Sequence, residues 1–136
     1  MHPIRLISFG YLHLPTGTDG SPVPPAADRI EDVRDRLRDP AAARHILDLD
    51  GFHPRVQAVV LNTPGARELL ANLADLPAGP RRIGIGCAGG RHRACGLTEI
   101  LAHELRDRGR QVEVEHLHAH LPRVLKAPAN TDQETR

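Results

Sequence analysis

The sequence predicts an α/β fold, a single small domain with a central, mostly parallel sheet flanked by helices, and three observations predict it. The apolar run Ile83-Gly84-Ile85-Gly86 enters a glycine-rich turn as a short buried strand. Residues 94–108 then carry Leu97, Ile100, Leu101 and Leu105 at helical spacing, with Gly109 placed to stop the helix. After it, Gln111-Val112-Glu113-Val114-Glu115-His116 alternates polar and apolar, as a returning strand does. Strand, helix and strand in that order form the unit from which parallel sheets are assembled.

The remaining elements follow in chain order. Residues 4–14 read as a first strand, and the turn formers from Pro15 to Pro22 make a long loop that is expected to be mobile or functional. Residues 28–34 suit either a helix, through Ile30, Val33 and Leu37, or a short strand, and periodicity alone leaves both open. Pro40 opens a short helix over residues 41–47, which Asp48-Leu49-Asp50-Gly51 ends as a capping turn. Helices are predicted over residues 54–61 and 67–76, the second starting from Thr63-Pro64 and placing Leu69, Leu70 and Leu73 on one face. Pro77-Ala78-Gly79-Pro80 separates it from the strand at residues 81–86.

With 136 residues, 40% of them hydrophobic, the chain fills one core and is too short for two ordinary domains. The domain is expected over residues 1–124 and a flexible tail over residues 125–136. Phe9, Tyr11 and Phe52 are the only aromatic residues besides histidine, so the core must be aliphatic and stacking on bases is poorly supplied. Eighteen basic against seventeen acidic residues leave a net charge of +1, which argues against nucleic-acid binding driven by bulk charge. Cys87 and Cys95 flank a turn rather than forming a disulfide framework and are read as thiols. No signal peptide and no membrane-length apolar stretch is visible, so a cytoplasmic protein is expected.

The chemistry concentrates in Cys87-Ala88-Gly89-Gly90-Arg91-His92-Arg93, within a strand, loop and helix at residues 82–108. A glycine-rich turn at a helix start leaves several backbone N–H groups unpaired where the helix dipole also favours negative charge. Arg91, His92 and Arg93 add side-chain donors, and arginine grips phosphate oxygens two at a time. A bland alternative makes Gly89-Gly90 a tight turn and the three bases a solvated rim. The Walker spacing G-x-x-x-x-G-K-[ST] and its lysine are absent. The same seven residues satisfy C-x-x-G-x-x-R, which resembles the phosphate loop of cysteine-dependent phosphatases. On that reading Cys87, activated by the helix start, attacks phosphorus, Arg93 holds the oxygens, and Asp32 or Asp39 supplies the general acid. Ala94, however, stands where those enzymes commonly carry a hydroxyl residue.

Gly86-Cys87-Ala88-Gly89-Gly90-Arg91-His92-Arg93 also resembles the G-C-T-G-G-[KR]-H-R signature of the RapZ C-terminal domain, found in bacterial RNase adapter proteins. Further parallels are Ser8-Phe9-Gly10, Asp32-Val33-Arg34 against the family's D-V-R, Arg108-Gly109 followed by Val112 and Val114, and His116. The resemblance covers roughly residues 4–120. It implies an α/β domain that binds glucosamine-6-phosphate, a phosphorylated amino sugar, with a regulatory adapter role that includes RNA, and it makes residues 29–34 a strand. Carried over position by position, Asp32 resembles a sugar-side contact and Cys87, Ala88, Gly89, Gly90, Arg91, His92 and Arg93 the loop that holds the phosphate. Ala88 and Ala94 depart from a family Thr and Ser, the family's early lysine has no equivalent, and the basic C-terminal residues are thinned to Arg123, Lys126 and Arg136. The Walker-bearing half of the family's longer proteins has no counterpart in these residues.

The expected partners are therefore a phosphorylated small molecule and, through the resemblance, RNA or a separately encoded nucleotide-binding chain, with a homo-oligomer as a further option and no membrane. No cofactor is expected. His116, His118 and His120 alternate and would share a strand face toward a metal, but Leu121-Pro122 ends the strand, so no metal is assigned. Arg81-Arg82 is read as solvent-exposed charge. Asp48-Leu49-Asp50-Gly51 lacks the glutamate a calcium loop needs at its twelfth position, where Val59 stands.

Overall fold

The computed structural model describes residues 3–34, 46, 48–75 and 81–121. The helix expected at residues 41–47 lies outside them apart from Ile46, as do Asp39 and the tail from residue 125. Four strands, β1 (Ile4–Gly10), β2 (Arg29–Asp32), β3 (Arg82–Cys87) and β4 (Val112–His116), form a sheet in the order β2-β3-β1-β4. Every pairing is parallel, so the sheet is wholly rather than mostly parallel. Among the described residues three α-helices accompany it: α1 (Pro54–Leu61), α2 (Ala66–Ala74) and α3 (Arg93–Asp107).

The central strands β1 and β3 are nearly continuous apolar runs because both of their faces are covered. On one face Ile4, Leu6, Ile83, Ile85 and Cys87 join Leu97, Leu101 and Leu105 of α3 in the main core. The helix packs across β1, β3 and β4 and receives α1 and α2 on its outer side. At that crossing Gly96 of α3 meets Val60 of α1, where a side chain would stand 3.4 Å from the valine methyl. On the opposite face the fully buried Phe9 ring occupies the space that a side chain at Gly86 would need, and Ile30 with Phe9 fills the space beside Gly84.

Boundaries moved for identifiable reasons. The first strand stops at Gly10 instead of running to Leu14, and Tyr11–His13 form a turn of 3-10 helix whose Leu12 amide donates to the Ala88 carbonyl at 2.9 Å. The segment at residues 29–34 is a strand only to Asp32; Val33 follows buried, its amide bonded to the Gly86 carbonyl. The loop from Pro15 to Pro22 is a turn closed by a bridge between Thr16 and Pro22, with Gly20 at φ 83° and the Asp19 carboxylate holding Ser21. Helix α2 begins not at Thr63-Pro64 but at Ala66, after Gly65 at φ 88°. The Thr63 hydroxyl donates back to the Val59 carbonyl, so it closes α1 instead of opening α2. Leu69, Leu70 and Leu73 are buried as their spacing predicts, and Gly109, at φ 82°, follows α3.

Candidate functional site

Because all four strands are parallel, the ends of β1, β2, β3 and β4 lie along one edge of the sheet, the edge at which open parallel sheets present their ligand crevices. Register places Gly10 opposite Cys87 and Asp32 opposite Gly86, which brings the strand ends beside the 87–93 loop.

The loop is seated by backbone packing. A side chain at Gly10 would stand 2.3 Å from the Gly89 carbonyl carbon, and one at Gly90, whose φ is 80°, would stand 2.7 Å from the Gly10 nitrogen. Only glycine permits both the positive φ and the approach. Beside them, a Cβ at Gly89 would meet nothing within 4 Å, so the loop opens outward at that residue. The amides of Ala88, Gly89 and Arg91 donate to no acceptor among the described residues. The His92 side chain makes no capping bond to the fifteen-residue α3.

Each expected side chain has a defined place. Cys87 is buried, and its sulfur accepts N–H bonds from Gly90 at 3.1 Å and Ala94 at 3.4 Å. Ala88 and Gly89 are partly exposed and Gly90 is buried. Arg91 turns away from the loop mouth: its guanidinium donates to the carbonyls of Asp48 at 2.8 Å, Leu49 at 3.1 Å and Leu121 at 3.5 Å, while its own carbonyl receives the Gly51 amide. His92 is buried at the head of α3. Arg93 is 5% exposed and donates through Nη1 to the carbonyls of Val33 and Arg34, both at 3.0 Å. Two of the three expected phosphate grips thus brace the segments on either side of the loop.

Asp32 sits at the end of β2 with Arg34 clamped to it through Nε and Nη2, the shortest distance being 2.6 Å. The Arg34 hydrogen bonds hold the carboxylate below the ordinary aspartate range, with a smaller contribution from the charge of Arg93. The Arg34 guanidinium lies 3.6 Å above the Tyr11 ring, whose own proton affinity is raised by burial and by Asp32. Cys95, the second thiol, is pushed up to about 12, chiefly by burial, so it is no nucleophile.

Several contacts here have no local signature in the sequence. Gly51 ends the capping turn, and a Cβ there would stand 2.2 Å from the Gly96 nitrogen, so the turn is pressed onto the first part of α3. Ser8 and His116 face each other across β1 and β4: the serine hydroxyl and His116 Nδ1 are 2.5 Å apart, and His116 Nε2 is 2.8 Å from Glu99 of α3. Ser8 is fully buried, so this chain of bonds fastens the sheet to the helix. Contacts at long sequence separation carry no local signal. Strand β4 ends at His116, and no group of three or more potential metal ligands occurs among the described residues. Arg81 and Arg82 are exposed, their amides held by the Asp28 carboxylate at 2.8 and 2.9 Å.

No helix among the described residues is long and apolar enough to cross a membrane. A nucleotide-binding protein of Streptomyces coelicolor is 34% identical over 122 residues, 82% of this chain and 38% of that protein. One from Lawsonia intracellularis is 33% identical over 129 residues, covering 87% and 37% of the two chains. Another, from Mycobacterium tuberculosis, is 38% identical over 112 residues, covering 74% and 36%. The chain therefore spans little more than a third of the length of these relatives. The family model for the RapZ C-terminal domain matches residues 2–120, and with the octapeptide loop standing where a parallel sheet presents its ligands, the chain belongs to that family.

Proposed function

We propose that this chain is a binding domain for a phosphorylated small metabolite, an amino-sugar phosphate such as glucosamine-6-phosphate, and acts in regulation in the cytoplasm. The observation that carries the reading is the trio of loop amides at Ala88, Gly89 and Arg91, which find no acceptor among the described residues and stand at the head of α3. Such amides, with the positive end of a long helix beside them, favour a phosphate dianion over water. Arg93 and Arg91 then act mainly by charge and by bracing the loop, while the ionised Asp32 accepts from the amine and hydroxyl groups of the sugar.

Isothermal titration against glucosamine-6-phosphate, inorganic phosphate and glucosamine tests the reading. The sugar phosphate should bind, inorganic phosphate more weakly and glucosamine not at all; Asp32→Asn should remove the preference for the amino sugar. Absence of heat with every phosphate ester would sink the proposal.

A second reading, a cysteine-dependent phosphatase, is favoured by the two amides aimed at the Cys87 sulfur. Against it, Cys87 is 3% exposed and Asp32 is held ionised, which suits a general acid poorly. Phosphate release from an aryl phosphate, abolished by Cys87→Ser, would establish the enzyme. Retention on RNA at raised salt, or capture by a nucleotide-binding chain, would extend the binding role to an adapter.

A further inference from the structure

We infer that His118 is a positioning residue for the 87–93 loop, holding the Gly10 amide against which Gly89 and Gly90 are seated. The effect on ligand affinity rests on the anion-binding reading above; the effect on loop geometry does not.

The Gly10 N–H donates to His118 Nδ1 at 2.8 Å. A peptide N–H can only donate to a lone pair, so Nδ1 is unprotonated and the neutral ring carries its hydrogen on Nε2. The nitrogen held in this way is the one that a Cβ at Gly90 would approach to 2.7 Å. Gly10 is the last residue of β1, and the chain turns immediately after it so that the Leu12 amide can reach Ala88. The imidazole thus fixes the backbone atom on which the loop rests, and the loop in turn fixes the amides of Ala88, Gly89 and Arg91.

The surroundings keep His118 an acceptor. Burial, and secondarily His13, push its proton affinity below the ordinary histidine value. The His13 ring, on the turn after β1, lies 5.1 Å away at 36°. On the histidine's own segment, His116 is engaged by Ser8 and Glu99, and His120 is stacked on Phe52 at 5.5 Å. A proton on Nδ1 would set one donor against another and release Gly10.

The test compares wild type with His118→Asn, in which a side-chain oxygen that never protonates takes the place of Nδ1, and with His118→Leu, which has no acceptor. In amide spectra recorded from neutral to mildly acidic pH, the resonances of Gly10, Ala88, Gly89 and Gly90 should move together as His118 protonates in wild type and should not do so in His118→Asn. Glucosamine-6-phosphate affinity should fall about tenfold in His118→Leu at neutral pH, the equivalent of one lost hydrogen bond, and be largely restored in His118→Asn. The acid-side loss of affinity caused by His118 should vanish in His118→Asn, the ionisation of the ligand being common to all three proteins. Loop resonances indifferent to the state of His118, or an unchanged acid limb in His118→Asn, overturn the inference. Loop resonances that track His118 in a protein that binds no sugar phosphate support the positioning role and reject the ligand reading. If His118→Leu does not fold, wild type and His118→Asn carry the test.

Discussion

The two edges of the sheet are held together by opposite means. At the edge where strands begin, Arg5 pairs with Glu113 at 2.7 Å and Asp28 receives the amides of Arg81 and Arg82, all of these groups being exposed to solvent. Where strands end, Arg93 is buried, Cys87 is buried, and Gly10 and Gly51 are in direct backbone contact with the loop and with α3. Water screens the first set and is excluded from most of the second, so similar side chains carry different weight. The edge with the candidate site is therefore the one at which substitutions are expected to cost more.

That contrast can be broken by substitution, beginning with the largest effect. Gly51→Ala forces a methyl into the backbone of α3, where no flexible side chain can yield, and should cost about 3 kcal/mol in a denaturant titration, the upper end of overpacking effects. A loss below a tenth of that would mean the turn is free to move off the helix. Arg93→Met keeps the bulk but leaves the Val33 and Arg34 carbonyls without their donor, and should cost about 2 kcal/mol. Arg91→Ala frees the carbonyls of Asp48, Leu49 and Leu121 near solvent, so about 1 kcal/mol is expected, with faster amide exchange at Gly51 as the local signature.

The pair Asp32 and Arg34 sharpens the contrast through pH. Its carboxylate releases its proton more readily in the folded than in the unfolded chain, so the stability it provides is complete above the ordinary aspartate value of 3.8. It drains as pH falls through the lower folded value. Asp32→Asn should flatten this part of the acid limb of the stability curve, by a small amount because the carboxylate is 39% exposed. At the other edge, Arg5→Ala should leave the melting temperature unchanged within error, and a clear drop would show that exposure does not govern the difference between the edges.

Much of the architecture was legible because it is written in local periodicity. Leu97, Leu101 and Leu105 mark α3, Val112 to His116 mark β4, and Cys87 to Arg93 stand out as the loop that leads from β3 into α3. What escaped depends on partners far along the chain. Nothing near Arg91 announces that its guanidinium is satisfied by Asp48 and Leu121, and nothing near Gly51 announces Gly96. Thr63-Pro64 carries helix-start chemistry, yet the hydroxyl turned back to the preceding helix because Val59 lies within reach. Asp32-Val33-Arg34 is legible as a motif and its internal clamp is local, but the seat of Arg34 over Tyr11 needs the ends of β1 and β2 side by side in space.

The double bracing of the loop has a kinetic consequence. With Gly10 on one flank and the Arg91 bracket to residues 48, 49 and 121 on the other, little of the loop backbone remains to be ordered when an anion arrives. A ligand seated there meets a receptor that is already shaped, so the entropy lost on association falls mainly on the ligand. Its association should then be set by diffusional encounter and charge steering, and the lifetime of the complex, more than the speed of its formation, should separate one phosphate ester from another.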